Sequence, residues 1–336
     1  MPATRDKARA VQFSAPRRVE LVEIELLEPA EGQVLVRTQR SGISSGSELL
    51  AFRGEIDPTL ALDERLDALG GTFAFPFRYG YACVGRVETS QAPEVEEGSL
   101  VFAFHPHQDR FVAAGADVVV LDRVAARQAT LFPFVETALQ VTLDAGPVAH
   151  EPVVVLGLGV LGILVSLLLE RTGARVVAAE PRPFRRELAT GLGVRAVEPA
   201  QLSAIVREDT GGYGVPLVVE ASGSPTALAP ALGLLAHEGT ALVASWYGTN
   251  PVALPLGAAF HRRRLTIRST QVSSIPAAQT AVWSLARRRA VARSLMPELP
   301  LAELATHELP VERVQDAFEL LDGGAPEALH VALCYD

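Results

Sequence analysis

The segment Pro152–Gly162, P-V-V-V-L-G-L-G-V-L-G, constrains this chain more than any other. Val153 to Leu156 form an apolar run of strand length, and Gly157, Gly159 and Gly162 complete a G-x-G-x-x-G pattern. An apolar stretch of helical length continues from Val160 to about Thr172, where Gly173 suits a C-cap. Strand, glycine turn and helix in that order build a dinucleotide pyrophosphate site. The first glycine permits the turn, the second lets the backbone approach the phosphates, and the third lets the helix pack on the strand. The helix N-terminus faces the negative charge. The cofactor cradle predicted here is Gly157, Leu158, Gly159, Val160, Leu161 and Gly162. Arg175 to Ala179 reads as a second strand, and Glu180 follows it, 21 residues after Gly159. That spacing suits a carboxylate on the adenosine ribose, which favours NAD and repels the 2′-phosphate of NADP. Arg182, Arg185 and Arg186 come next and would suit NADP if Glu180 turned away.

A length of 336 residues exceeds what one hydrophobic core usually serves and predicts two domains. Hydrophobic residues make up 49% and charged residues 21%, as in soluble globular chains. The net charge of −9 offers no nucleic-acid surface, and Arg262–Arg264 and Arg287–Arg289 are short triplets that read as solvated faces or helix ends. The only cysteines, Cys83 and Cys334, supply neither a disulfide framework nor a cysteine-rich zinc site. No apolar run reaches membrane-spanning length and no signal peptide is apparent, so the expectation is a cytoplasmic protein without a membrane partner. The single lysine, Lys7, argues against Schiff-base chemistry and a Tyr/Lys relay.

The fold class expected is α/β in two parts. Residues up to about 133 read mainly as short strands, with a small-residue loop at Ser41–Glu48 and an aromatic cluster of Phe73, Phe75, Phe77, Tyr79 and Tyr81. That cluster suits either core packing or a substrate-pocket wall. From about Phe134 helix and strand alternate, which implies a parallel sheet. A helix over Ala277–Ala290 is expected to carry Trp283 on its apolar face, and the tail reads as a helix and a final strand.

With these elements placed, the chain resembles the medium-chain dehydrogenase/reductase superfamily, the zinc alcohol dehydrogenase-like proteins. The markers are the loop G-I-S-S-G-S-E at Gly42–Glu48, G-Y-A-C-V-G at Gly80–Gly85, E-T-A-L at Glu136–Leu139, the nucleotide turn, and E-A-S-G at Glu220–Gly223. The loop and the G-Y stretch look most like bacteriochlorophyllide a dehydrogenase-like proteins. The resemblance implies a GroES-like catalytic domain from residues 1–133 and 277–336, a Rossmann doubly wound parallel sheet domain over 134–276, and a cleft between them. It also implies a homodimer formed through Leu265–Thr270. Thr137, Ser222 and Gly223 fall among its cofactor-binding positions.

The departures bear on the chemistry. Zinc members bind the metal through a loop cysteine, a His-Glu pair, and a cysteine or acid ahead of the nucleotide domain. Here the matching positions are Ser45, Tyr81, Ala82 and a place near Pro133, with Glu136 the nearest acid. The structural four-cysteine lobe has no counterpart. No zinc is therefore expected, and no residue is assigned as a metal ligand. Without a metal, hydrogen-bond donors must stabilise charge on the reacting oxygen. The candidates are Ser47, where the relay hydroxyl falls, Tyr81, Ser45, Glu136 and His107. The relay histidine is replaced by Leu50, and His105-Pro106-His107 lacks a third ligand for a tetrahedral site.

The function expected is zinc-independent, NAD(P)-dependent hydride transfer to or from a secondary alcohol or ketone of a bulky small molecule. Two other functions fit the same residues. An enoyl or quinone reductase needs less carbonyl polarisation, and a non-catalytic nucleotide-binding sensor needs none.

Overall fold

The computed structural model describes residues 6–121 and 123–335. The chain forms two compact units, Met1–Pro133 with Arg293–Asp336, and Phe134–Ala292. The segment 277–292, expected with the first unit, groups with the second. The reason is Arg288, which is tied to Glu136 and Gln140 of the helix Phe132–Ala145.

The first unit is β-rich. Its strands are β1 (Lys7–Ala15), β2 (Arg18–Glu25), β3 (Gln33–Ile43), β4 (Phe77–Arg78), β5 (Cys83–Ser90), β6 (Leu100–Ala103), β7 (Arg110–Ala114) and β8 (Val119–Val120). Two more, β15 (His307–Pro310) and β16 (Val331–Cys334), come from the other end of the chain. β1 lies between β2 and β4, while the larger sheet runs β15-β16-β3-β5-β6-β8 with β7 also on β3. Antiparallel pairing of β16 with β3 sets Leu333 opposite Ser41 and brings Tyr335 against β3, where its N–H donates to the Gln39 carbonyl.

The aromatic cluster belongs to the core. Phe73, Phe77 and Tyr79 are buried with Phe13, Phe52 and Phe318, and Phe13 stacks on Phe77 at 5.0 Å between ring centroids. Alternation in this stretch puts these side chains inward, and offset and edge-on ring pairs add to their burial. Only Phe75 and Tyr81 of the five are partly exposed.

The second unit is a six-stranded parallel sheet of β9 (Pro152–Leu156), β10 (Arg175–Ala179), β11 (Ala196–Val197), β12 (Val215–Glu220), β13 (Leu235–Val243) and β14 (Thr266–Ser269). The order β11-β10-β9-β12-β13-β14 is that of a doubly wound dinucleotide fold, and β9 stands at its switch point between β10 and β12. Val153, Val154 and Val155 are wholly buried, as expected for a strand covered on both faces. The helix expected over Ala277–Ala290 starts only at Leu285, after a short 3₁₀ turn at Ala277–Gln279. Trp283 precedes it, half-buried, and carries the Arg287 guanidinium over its ring. Among the described residues no helix is long and apolar enough to cross a membrane.

Candidate functional site

In the first unit, β3 runs into the loop Ser44-Ser45-Gly46 and then the helix Ser47–Arg53. This geometry brings Ser47 Oγ within 2.8 Å of the Tyr81 hydroxyl, and Ser44 Oγ within 3.4 Å of Ser47 Oγ. Ser45, half-buried beside them, makes none of these contacts. Burial pushes the Tyr81 phenol up to about 12, the Glu48 charge adds to it, and hydrogen bonds from Ser44 and Ser47 oppose both. At neutral pH Tyr81 is therefore a phenol and a donor.

Behind this pair lies a chain of buried polar groups. The Ser44 N–H donates to Glu48 Oε1 at 3.0 Å. His107 Nε2 is 2.7 Å from Glu48 Oε2, and its Nδ1 is 2.7 Å from Ser41 Oγ. Ser41 Oγ is 2.8 Å from the Tyr335 hydroxyl. Glu48 and His107 are fully buried. His107, expected to touch substrate, is thus enclosed and reaches the hydroxyl pair only through Glu48 and Ser44. Its backbone is held by Val11 and Tyr79. A side chain on Gly80 would meet the imidazole at 2.6 Å, so the G-Y stretch needs glycine for this ring to fit. Glu48, Ser41 and Tyr335 were not singled out from the sequence. Glu48 stood within the marker loop, but its partner lies 59 positions away.

The donor set does not fit zinc. Tyr81 and Ser45 offer hydroxyls, and Ala82 offers nothing. The nearby Cys83 thiol is buried and directed at the carbonyls of His105 and Pro106, 3.3 and 3.2 Å away. Among the described residues no three His, Cys, Asp or Glu side chains gather as a metal site.

The second unit carries a cradle that fits a dinucleotide. Gly157 has φ +89°, and a Cβ there would stand 2.5 Å from Ser222. A Cβ on Gly162 would stand 1.9 Å from the Gly157 carbonyl oxygen. Gly159 ends the turn as N-cap of the helix Val160–Arg171, and its open side meets only an Arg185 nitrogen within 4 Å. The first N–H groups of that helix, from Val160, Leu161 and Gly162, have no intrahelical acceptor and suit a pyrophosphate.

Leu158 is a partial exception, because its N–H is taken by Glu180 Oε2 at 2.9 Å. Glu180 Oε1 accepts from the Arg182 N–H at 3.0 Å, so the carboxylate is held beside the turn. Arg186 is committed to the carbonyls of Glu180 and Pro181 and to Glu198. Arg182 is exposed, and Arg185 is half-buried, its guanidinium pushed down by burial and by Arg182 against the pull of Glu180. At the end of β12, Ser222 donates to Glu220, and the Gly223 N–H donates to Ser245 Oγ at 2.9 Å.

Glu136, expected in a substrate or relay role, is instead 2% exposed, with Arg288 Nη2 at 3.1 Å from its Oε1. Arg288, read from sequence as part of a solvated triplet, is 3% exposed. The buried ion pair accounts for both, since neither charge is stable alone in the core. Thr137 follows on the same helix, half-buried.

Comparison with known proteins shows that the chain is similar to dehydrogenases. The family described as zinc-binding dehydrogenase matches residues 160–288. A 5-exo-hydroxycamphor dehydrogenase of Pseudomonas putida is 25% identical over 95% of this chain and 96% of its own length. A 2-desacetyl-2-hydroxyethyl bacteriochlorophyllide A dehydrogenase of Cereibacter sphaeroides is 28% identical over 93% of each. Among solved structures, an Escherichia coli alcohol dehydrogenase complexed with NADH superimposes with a TM-score of 0.77 over 98% of this chain and 99% of that one, at 17% identity. That likeness is one of fold.

Proposed function

We propose that the chain is a zinc-independent, NAD(P)-dependent oxidoreductase of the medium-chain dehydrogenase/reductase superfamily, acting on a secondary alcohol or ketone of a bulky small molecule. The observation that carries this is the Ser47–Tyr81 hydroxyl pair, 2.8 Å apart, standing where zinc members place a relay hydroxyl and a metal ligand. One arrangement of protons uses both groups. Ser47 donates to the Tyr81 oxygen, which frees the phenol proton for the substrate oxygen. In reduction the carbonyl gains that proton as it gains a hydride, and the Ser47 hydroxyl stabilises the phenolate left behind. The hydride is what a reduced nicotinamide would supply when bound. Glycines 157, 159 and 162 and the N–H groups of Val160 and Leu161 would hold its pyrophosphate.

We favour NAD over NADP. Glu180 is held in place by two backbone N–H groups, so its charge meets any 2′-phosphate brought to the end of β10. Glu180→Ala should lower the NAD-to-NADP ratio of kcat/KM by about tenfold or more, roughly 1.4 kcal/mol. The ratio is the proper readout because general damage to the turn cancels in it. An unaltered ratio would remove Glu180 from cofactor selection.

Substrate bulk is supported by the relatives rather than by the aromatic cluster, which lies in the core. Two relatives that match over most of this chain carry a hydroxycamphor and a hydroxyethyl bacteriochlorophyllide in their names. We also read β14 as a dimer edge. Three of its four residues are exposed, its outer side is unpaired among the described strands, and Leu256, Val282 and Leu285 are exposed in the same unit. A monomer at micromolar concentration in sedimentation equilibrium would count against that.

The function is tested by assaying protein of measured metal content against ketones and α,β-unsaturated ketones. The expected result is carbonyl reduction that survives exhaustive chelation. Loss of the alkene instead of the carbonyl would make it an enone reductase. Activity that needs one stoichiometric zinc would overturn the metal-free mechanism, and cofactor binding without turnover of any substrate would make it a binding protein.

A further inference from the structure

We propose that Glu48 and His107 are positioning residues for the Ser47–Tyr81 hydroxyl pair, a role that rests on the oxidoreductase function proposed above. The contacts form an unbroken path. Tyr81 bonds to Ser47, Ser47 approaches Ser44, and the Ser44 N–H is held by Glu48. Glu48 is held in turn by His107, which is fixed from its other side by Ser41 and, through Ser41, by Tyr335. Two carboxylate oxygens thus have separate tasks. Oε1 fixes the backbone of the serine loop, and Oε2 is fixed by the imidazole.

The protons on this path have one fully bonded assignment that keeps the imidazole neutral. Tyr335 donates to Ser41, Ser41 donates to Nδ1, and Nε2–H donates to Glu48. With a charged imidazole the order would reverse, Nδ1–H donating to Ser41 and Ser41 to Tyr335. One hydroxyl proton, that of Tyr335 or of Ser41, would then have no acceptor among these groups, and burial already holds Tyr335 strongly in the phenol form. The neutral assignment leaves one negative charge, on Glu48. No arginine or lysine pairs with Glu48 among the described residues. An unneutralised carboxylate in a core is costly, and a purely packing role would be served as well by apolar groups.

That charge lies where it acts on the phenol. It opposes ionisation of Tyr81, second only to burial itself. The other titratable groups near Tyr81 are Tyr79, in the same stretch with its ring 6.1 Å away, and His107 behind Glu48; Asp63 faces Tyr79. None of these is a cation under the proton assignment above, so Glu48 sets the sign of the local field. The path therefore does two things: it holds Ser44 and Ser47 in register with Tyr81, and it keeps Tyr81 in its acid form.

Glu48→Gln separates these effects, because the amide oxygen can still accept from Ser44 while the charge is gone. Tyrosinate absorbance is titrated at alkaline pH in the full-length protein, with and without Tyr81→Phe, so that the difference isolates Tyr81. The midpoint should fall by about one pH unit in Glu48→Gln. At a fixed pH below the midpoint, alcohol oxidation by the tyrosinate should then rise about tenfold. An unmoved midpoint in folded Glu48→Gln overturns the proposal. A midpoint that falls while the pH profile of oxidation stays put leaves Glu48 as the positioning residue and removes Tyr81 from the proposed reaction. Glu48→Asp carries the test if the glutamine variant does not fold. It keeps the charge but withdraws it by one methylene, so kcat should drop about tenfold with KM and the midpoint little changed. An unaltered kcat in Glu48→Asp overturns the proposal.

Discussion

Tyr81→Phe should lower kcat for carbonyl reduction by about 10²–10³-fold and leave the Kd for the nicotinamide nucleotide unchanged. The size follows from what remains. Phenylalanine keeps the ring that packs against the buried core and removes one oxygen. Ser47, 2.8 Å from that oxygen, then loses its acceptor and is the nearest remaining donor, but an aliphatic hydroxyl does not give up its proton readily. In the proposed metal-free reaction the missing hydrogen bond falls wholly on the transition state, so kcat should change far more than KM. Ser47→Ala should cost less, about tenfold, because the phenol keeps its proton and loses only the partner that steadies its anion. The pH dependence has a definite sign. A phenol raised to about 12 is protonated throughout the neutral range, so reduction should be flat there, while oxidation should climb with pH as tyrosinate forms. Stopped-flow measurement of nicotinamide absorbance in both directions checks each statement. A Tyr81→Phe enzyme with wild-type kcat would leave the hydroxyl pair without a catalytic part.

The features legible in the sequence are those in which a short run of residues encodes its own backbone. Pro152–Gly162 folds as strand, turn and helix because three glycines meet local demands: a positive φ at Gly157, an open approach at Gly159, and contact with the strand's own turn at Gly162. Glu180 was legible for the same reason, since its distance along the chain is fixed by one helix and one strand. Its hydrogen bond to Leu158 was not, because that depends on a rotamer. Polar residues whose partners are distant in sequence are not legible in this way. His107 is 59 positions from Glu48, and Arg288 is 152 from Glu136. Read alone, one is a free imidazole and the other a member of a basic triplet. Periodicity also could not decide the aromatic stretch. Phe73, Phe77 and Tyr79 line one face, and only the packing of Phe13, Phe52 and Phe318 shows which way that face points.

Glu136→Ala should destabilise the second unit by about 3–5 kcal/mol, the usual cost of breaking a buried ion pair from one side. Arg288 would remain with a side chain only 4% exposed, and Arg289, whose Nε lies 3.9 Å from the same carboxylate oxygen, would add a like charge beside it. Gln140 accepts a hydrogen bond from Arg288 but carries no charge to offset it. For a unit of this size each kcal/mol moves Tm by roughly 2–4 °C, so a fall on the order of 10 °C is expected. Replacing both partners, as in Glu136→Leu with Arg288→Leu, should cost less than the sum of the single changes, since apolar pairs tolerate burial without compensation. The same variants decide between a structural and a chemical part for this carboxylate. As a structural ion pair, Glu136→Gln should lower Tm and leave kcat near wild type when assayed well below the transition. As a proton relay, it should lower kcat by about 10²-fold with little change in Tm. A melt and a rate measured on one preparation of each variant separate the two, because the first result requires the charge for folding and the second requires it only when substrate reacts.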